Sequence, residues 1–462
     1  MSTRSARIAT AGLWHLGSVV SACLASLGHR VRGTDPDGAR VADLSAGTPP
    51  VFEPGLSKLI AEQAGAGRLT FFPTCREAFA GAEFIFVTFD TPVDDDDQCD
   101  LAPIEKTFAE IAAHAPQGIT IVLMSQVPVG TCARLAAELR ARAPRLEFTL
   151  LYQPENLRLG DALDTFLRPD FLVFGVGPHT DPVRWERAYE GIHAPHLVMR
   201  WASAEMSKHA LNAFLATSIS FVNELAGLAE AGGADIREVT RALKRDRRVG
   251  AYAFLSPGPG FAGGTLGRDV QALRALGLRS GKPTLHLDAT LEVNRARLDG
   301  VADTLRQATG GLAGKRVALL GLTYKPGTST LRRSHAIELA RRLAAEGVEV
   351  AAFDPQVRQP VEETRGTLLC DSVAAAAAKA DALVLLTPWP EFRDINWSAL
   401  QSVVRRPLIL DAHNFLDDAA VGRAGWRYLG LGIAASGLPT LGLAAPGTTA
   451  AEPLLAARAG RE

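Results

Sequence analysis

The sequence predicts an α/β protein of two doubly wound units, each a parallel sheet with helices on both faces, joined by a long central helix and a helical domain. Three observations predict it. Short apolar strands alternate with helical patterns through the first third of the chain, one uninterrupted helical run follows, and a second alternating region begins at Lys315. Strands alternating with helices need crossover connections, which make the strands parallel and cover both sheet faces. At about 100–200 residues per domain, a chain of this length holds several domains. We place them at 1–200, 201–300 and 301–462.

The first unit opens with strand "RIATAG", which runs into "GLWHLG" (Gly12 to Gly17), the helix "SVVSACLASLG" and the strand "HRVRGTD" ending at Asp35. This is the order of a Rossmann-like dinucleotide fold: a Gly-rich turn, a helix N-terminus facing a pyrophosphate, and an acid about 20 residues on for the ribose hydroxyls. The acid favours NAD over NADP, whose extra phosphate Asp35 would repel. Trp14 replaces the middle glycine, so its side chain either points aside or pushes the cofactor outward. Residues 8–28 carry no charge after Arg4 and Arg7, as a signal peptide would. Gly12 and Gly17 interrupt that run, and a strand, turn and buried helix account for it better.

Strands "EFIFVTF", "ITIVLMS" and "FLVFGVG" continue the first unit, with helical stretches such as "LSKLIAEQAG" and "CARLAAELRARA" between strands. From 202 to 231 the pattern becomes one helix closed by Gly232 and Gly233. Its apolar residues Met206, Leu211, Phe214, Leu215, Ile219, Val222, Leu225 and Leu228 cover more than one face, so we expect burial against helices on several sides, as a spine, a dimer interface or a domain core. The second unit reads "KRVALLGL", "SHAIELARRLAAEG", "VEVAAFDP", "DALVLLTP" and "PLILDAHN". The tail from about Ala434 is rich in Ala, Gly, Pro and Thr and is expected to be mobile in part.

Apolar residues at 47%, charged residues at 21% and a net charge of −1 describe a globular protein without the basic excess of nucleic-acid binders. Apart from 8–28, no run approaches the roughly 18 apolar residues of a membrane span. The five cysteines (Cys23, Cys75, Cys99, Cys132 and Cys370) are scattered and never spaced as Cys-x-x-Cys, which indicates neither disulfides nor zinc and fits a reducing, cytoplasmic setting. The acidic run Asp94 to Asp97, with Asp100, reads as a solvated loop rather than a metal site.

Several further stretches carry a resemblance: "EPGL" (53–56), "TP" (91–92), "SQVPVGT" (125–131), "PENLRLG" (154–160), "EMSKHALNAFLATSISFVNE" (205–224), "PGPGFAGG" (257–264), "GLTYKPGTSTLRRS" (321–334) and "DP" (354–355). In this order and spacing the chain resembles the UDP-glucose/GDP-mannose dehydrogenase family over nearly its whole length. The resemblance implies an N-terminal NAD domain, a C-terminal domain for the nucleotide sugar, and a homodimer made by the long helix. It implies an enzyme that oxidises the C6 alcohol twice to a carboxylate, holding the intermediate on a cysteine. By position it implies that Gly12, Trp14, Gly17, Asp35, Arg40, Thr91, Gln126 and Arg268 line the NAD site. It implies equally that Lys208, Phe254, Leu255, Gly258, Ala262, Lys325 and His413 hold the sugar nucleotide, with His413 where the family usually has an arginine. Lys325, Arg332 and Arg333 offer cations to a diphosphate, or form a solvated helix start.

Lys208 and Asn212 stand four apart on one helix face, where together they can stabilise an oxyanion as hydride leaves. By the resemblance, Asp269 positions a water or accepts its proton, and Glu155 is the first of two active-site glutamates, the second being replaced by Leu159. Thr265 stands where the family has its nucleophilic cysteine. A threonine hydroxyl needs a strong neighbouring base, and no histidine lies in this loop. Thr265 therefore reads as a pocket-lining hydroxyl in preference to a covalent nucleophile, which favours a two-electron product over the acid. The alternative is a catalytically silent homologue that binds a nucleotide sugar as a sensor or partner subunit.

Overall fold

A computed structural model describes residues 5–91, 99–178 and 183–434. Pro92, the run 94–97 and nearly all of the tail lie outside the described residues.

The first sheet has eight strands: β1 (Arg7–Ala11), β2 (Arg30–Thr34), β3 (Leu69–Phe72), β4 (Phe84–Val87), β5 (Ile119–Leu123), β6 (Phe148–Tyr152), β7 (Leu172–Val176) and β8 (His196–Arg200), in the order β3-β2-β1-β4-β5-β6-β7-β8. Every residue of β4 and β5 is buried, as expected of strands covered on both faces. The helix His15–Ser26 after β1 is buried along most of its length, which agrees with a strand, turn and buried helix over 8–28. The sheet is not wholly parallel, because β7 runs antiparallel to β6. The short helix Ala162–Leu167 connects them without the full crossover that a parallel neighbour requires.

The second sheet has six strands: β9 (Arg316–Leu320), β10 (Glu349–Phe353), β11 (Thr367–Leu369), β12 (Ala382–Leu385), β13 (Leu408–Asp411) and β14 (Arg427–Gly430), in the order β11-β10-β9-β12-β13-β14, all parallel. In both sheets the order reverses beside the first strand, which opens a crevice at the carboxyl ends.

Between the sheets runs the helix Trp201–Gly232, closed by Gly233 at φ 74°. It packs against the helices Leu266–Arg279 and Leu285–Thr309. Within the single chain the large apolar residues of this helix are not all buried. Of those named, only Val222 is fully buried, while Phe214 and Leu228 are 68% and 64% exposed. The packed face consists of Ala204, Ala213, Ala216, Ser220, Ala226 and Ala229, because small side chains let the neighbouring helices approach closely.

Candidate active site

Strand β1 ends at Ala11 and the chain turns at Gly12 with φ 93°, a conformation that glycine adopts without steric cost. A Cβ there would also stand 2.9 Å from the Phe89 ring. A Cβ on Gly17 would lie 1.7 Å from the Gly12 carbonyl oxygen, so the third glycine is what lets the helix pack onto the strand. Trp14 has ordinary extended backbone (φ −69°, ψ −150°) and makes no demand for glycine. Its ring lies on the cavity wall, with the Arg40 guanidinium 5.0 Å from its centroid. Arg40 in turn pairs with Asp35 at 2.8 Å, and the same buried carboxylate accepts from the Leu13 and Asp37 amides at 2.6 and 2.9 Å.

These groups open onto a cavity of about 730 Å³ whose walls include Trp14, Asp35, Arg40, Thr91, Gln126 and Arg268. Glu155, Leu159 and Thr265 form its far side, together with Tyr324 and Arg332 from the C-terminal unit. Thr265 is the residue before the helix Leu266–Arg279, and among the described residues none bonds to its hydroxyl.

Behind this cavity lies a buried network. Asp269 is fully enclosed and accepts hydrogen bonds from the Gln126 amide and from Asn212, while His209 Nδ1 lies 2.8 Å from its Oδ1. The other ring nitrogen of His209 meets the Val127 carbonyl at 2.9 Å. A carbonyl only accepts, so Nε2 carries a hydrogen. Gln126 is oriented from its other end by Arg268, which donates to its Oε1. Arg268 thereby links the cavity wall to the buried carboxylate through one amide. Its Nε is buried and, among the described residues, has no partner.

Lys208 is buried with Nζ 2.5 Å from the Glu155 carbonyl, 3.2 Å from Asn156 Oδ1 and 3.7 Å from the Glu155 carboxylate. Asn212 thus meets Asp269 while Lys208 meets the 155–156 segment, and none of the three lines the cavity surface. Lys325 donates to the Leu159 carbonyl, and burial lowers its pKa.

A second cavity, of about 390 Å³, is lined by Lys244, Phe254, Pro257, Gly258 and His413. Gly258 is clamped from both sides, its amide donating to Asn223 at 2.9 Å and its carbonyl accepting from Arg297 at 3.0 Å. Burial lowers the pKa of His413, whose Nε2 donates to the Leu386 carbonyl, leaving Nδ1 as an acceptor beside Gly258. Leu255 turns its side chain into a small core with Val222, Ala226 and Ile236 instead of toward the cavity. Ala262 is half-buried within the loop between the two cavities.

Sequence reasoning missed His209, Asn223, Arg297 and the hydrogen bond of His15 with Glu53. Glu53 accepts from His15 at 2.9 Å and from the amides of Gly160 and Ala162. Burial pushes its carboxyl up, but these hydrogen bonds outweigh that and hold it below its usual range. The "EPGL" glutamate therefore ties the nucleotide turn to the 155–160 loop. Among the described residues no group of three His, Cys, Asp or Glu side chains is placed to hold a metal. Asp100 accepts from the Ala102 amide at 2.9 Å.

A Gly-rich turn closing against a helix, an acid at the end of β2 and a second doubly wound unit across the crevice define a dinucleotide-dependent dehydrogenase of two α/β domains. Residues 6–193 match the NAD binding domain of the UDP-glucose/GDP-mannose dehydrogenase family, residues 202–296 its central domain and residues 318–418 its UDP binding domain. The chain belongs to this family. It is 35% identical over 441 residues to a UDP-glucose 6-dehydrogenase of Pseudomonas aeruginosa, covering 92% of this chain and 97% of that one. It is 34% identical to one of Rhizobium meliloti, covering 92% and 99%. A UDP-glucose dehydrogenase structure from Pyrobaculum islandicum superimposes with a TM-score of 0.85 at 30% identity, covering 94% and 99%. The protein is an NAD-dependent oxidoreductase of nucleotide sugars, and a catalytically silent homologue is not favoured. The residues present fit NAD: the close approach at Gly17, the buried Asp35 carboxylate and the unpartnered Arg268 Nε suit its pyrophosphate, ribose and polar groups.

Proposed function

We propose that the protein oxidises the C6 alcohol of a UDP-sugar, UDP-glucose first among them, and stops at the two-electron carbonyl product. The substrate class rests on the relatives named UDP-glucose 6-dehydrogenase and on the matched UDP binding domain. The extent of oxidation rests on Thr265, which lines the cavity and, among the described residues, has no base bonded to its hydroxyl. A threonine with no base is a poor nucleophile, and without a covalent adduct the aldehyde is free to leave.

When bound, NAD supplies the hydride acceptor. Gly12, Gly17, Asp35 and Arg40 hold it at the nucleotide end, with Trp14, Thr91, Gln126 and Arg268 along the wall. Lys208, fixed behind Glu155, places a positive charge where the alcohol oxygen becomes an alkoxide, and Glu155 on the cavity surface takes the hydroxyl proton. Asp269 anchors the Asn212 and Gln126 amides, and its full enclosure makes this a positioning role instead of direct proton handling. Phe254, Gly258, Ala262, Lys325 and His413 hold the nucleotide sugar, with Leu255 supporting the loop from below.

The exposed stripe Leu211, Phe214, Phe221 and Leu228 recurs at three and seven residues along one helix face, and we read it as the seam with a second copy of the chain. The helix Trp201–Gly232 has the length and apolarity of a membrane span. It also carries buried Glu205, Lys208, His209 and Asn212, which suits a subunit contact better than lipid. Free cysteines favour a cytoplasmic setting, and the working division remains 1–200, 201–300 and 301–462. A panel of UDP- and GDP-sugars with NAD, quenched into hydroxylamine, tests the reading. An oxime of a UDP-sugar aldehyde supports it, and turnover confined to GDP-sugars, or a uronic acid alone, contradicts it.

A further inference from the structure

One acid in the cofactor cavity has no place in the scheme above. Asp90, three residues past the end of β4, lines the cavity, and its Oδ2 accepts a hydrogen bond from the Leu16 amide at 3.1 Å. Leu16 lies in the first turn of the helix His15–Ser26, which has no acidic residue in that turn and no side-chain cap from Trp14. In a fold of this kind the first-turn amides and the positive end of the helix receive the dinucleotide's pyrophosphate. Here a carboxylate of the chain itself already takes one of those amides. A second anion brought to the same amide meets both an occupied donor and a like charge.

We propose that Asp90 competes with the cofactor's pyrophosphate for the N-terminus of this helix, so that NAD binding takes up a proton and tightens as the pH falls. The inference rests on assigning this cavity to NAD. Among the described residues, the other charged or titratable groups lining the cavity are His15, Asp35, Arg40, Glu155, Arg268, Tyr324 and Arg332. His15 and Arg268 favour the Asp90 carboxylate, while Glu155 opposes it. Asp90 is open to the cavity, and the protein packed around its carboxyl outweighs the favourable contacts and raises its pKa to about 6. The sign follows: above that value the charged form guards the amide, and below it the neutral acid yields the amide to phosphate. Asp90 is therefore a determinant of cofactor affinity, distinct from the residues that hold the ribose.

Isothermal titration of NAD into the full-length protein, in two buffers of different ionisation enthalpy, gives both the Kd and the number of protons taken up. Expected for the wild type is net proton uptake near pH 7 and a Kd that weakens by up to about tenfold per pH unit above the Asp90 titration. Asp90→Asn, and independently Asp90→Ser, should bind NAD about tenfold more tightly at pH 8, with little proton uptake. A Kd and proton number unchanged in both variants would overturn the proposal. So would a pH dependence that persists in Asp90→Asn but disappears in His15→Gln, because it would then belong to His15. Asp35→Ala separates the two levels. If it leaves NAD affinity intact, the cavity assignment and this inference fall together; if it weakens NAD while both Asp90 variants are silent, only this inference falls.

Discussion

At Asp269 three side chains converge on one buried carboxylate, and removing any of them strands polar groups where water does not reach. His209→Phe should lower stability by roughly 3–5 kcal/mol in urea unfolding, since it removes one of the three partners of a fully buried carboxylate. Adding Asp269→Asn should recover part of that loss. A cost below about 1 kcal/mol for the single variant would mean that the contact carries little energy. This network shows what sequence can and cannot reveal about single residues. Gly12, Gly17 and Asp35 were legible because their geometry is local to one strand, turn and helix. His209 and Asp90 were not, because their partners lie far along the chain: Asp269 for the first, and the Leu16 amide for the second. Lone polar residues in apolar surroundings give no sign of which distant element will face them.

Along the long helix the energetic question is which face meets what. The Ala-lined face is committed to the helices Leu266–Arg279 and Leu285–Thr309, so the outward aromatic and leucine side chains are what remains for a partner. Phe214→Glu combined with Leu228→Glu should convert a dimer to monomers in sedimentation velocity without loss of helical signal. An unchanged sedimentation coefficient would exclude this face as the interface. The helix itself was legible from its length and its Gly232–Gly233 stop, but its inner face was misassigned. Hydrophobicity alone assigns large residues inward, whereas close helix packing selects alanine there. The interior strands were legible as continuous apolar runs, while edge strands such as Leu69–Phe72 and Thr367–Leu369 are short and only partly buried, and leave a weak pattern.

For the whole molecule, buried histidines set the acid limit. Burial lowers the pKa of His29 and His413, and it takes His335 down to about 4. Between about pH 6.5 and 4 the unfolded chain binds protons that the folded one refuses, so stability is full above that window and lost as the pH falls through it. His335 alone is worth on the order of 2 kcal/mol across it. Asp90 is shifted the other way and opposes this loss between about pH 6 and 4. A melting temperature that falls from pH 7 to pH 4.5, and falls less in His335→Gln, is the expected result; a flat profile would deny these histidines any role. The two-sheet architecture was legible from alternation alone, but the antiparallel turn at β7 and the meeting of both units around one cavity depend on long-range packing. The central claim is about extent of reaction, and one count tests it most directly: NADH formed per UDP-glucose consumed by purified protein with excess NAD. One NADH per sugar, rising toward two in Thr265→Cys, is the result predicted, and two per sugar in the unmodified protein would contradict it.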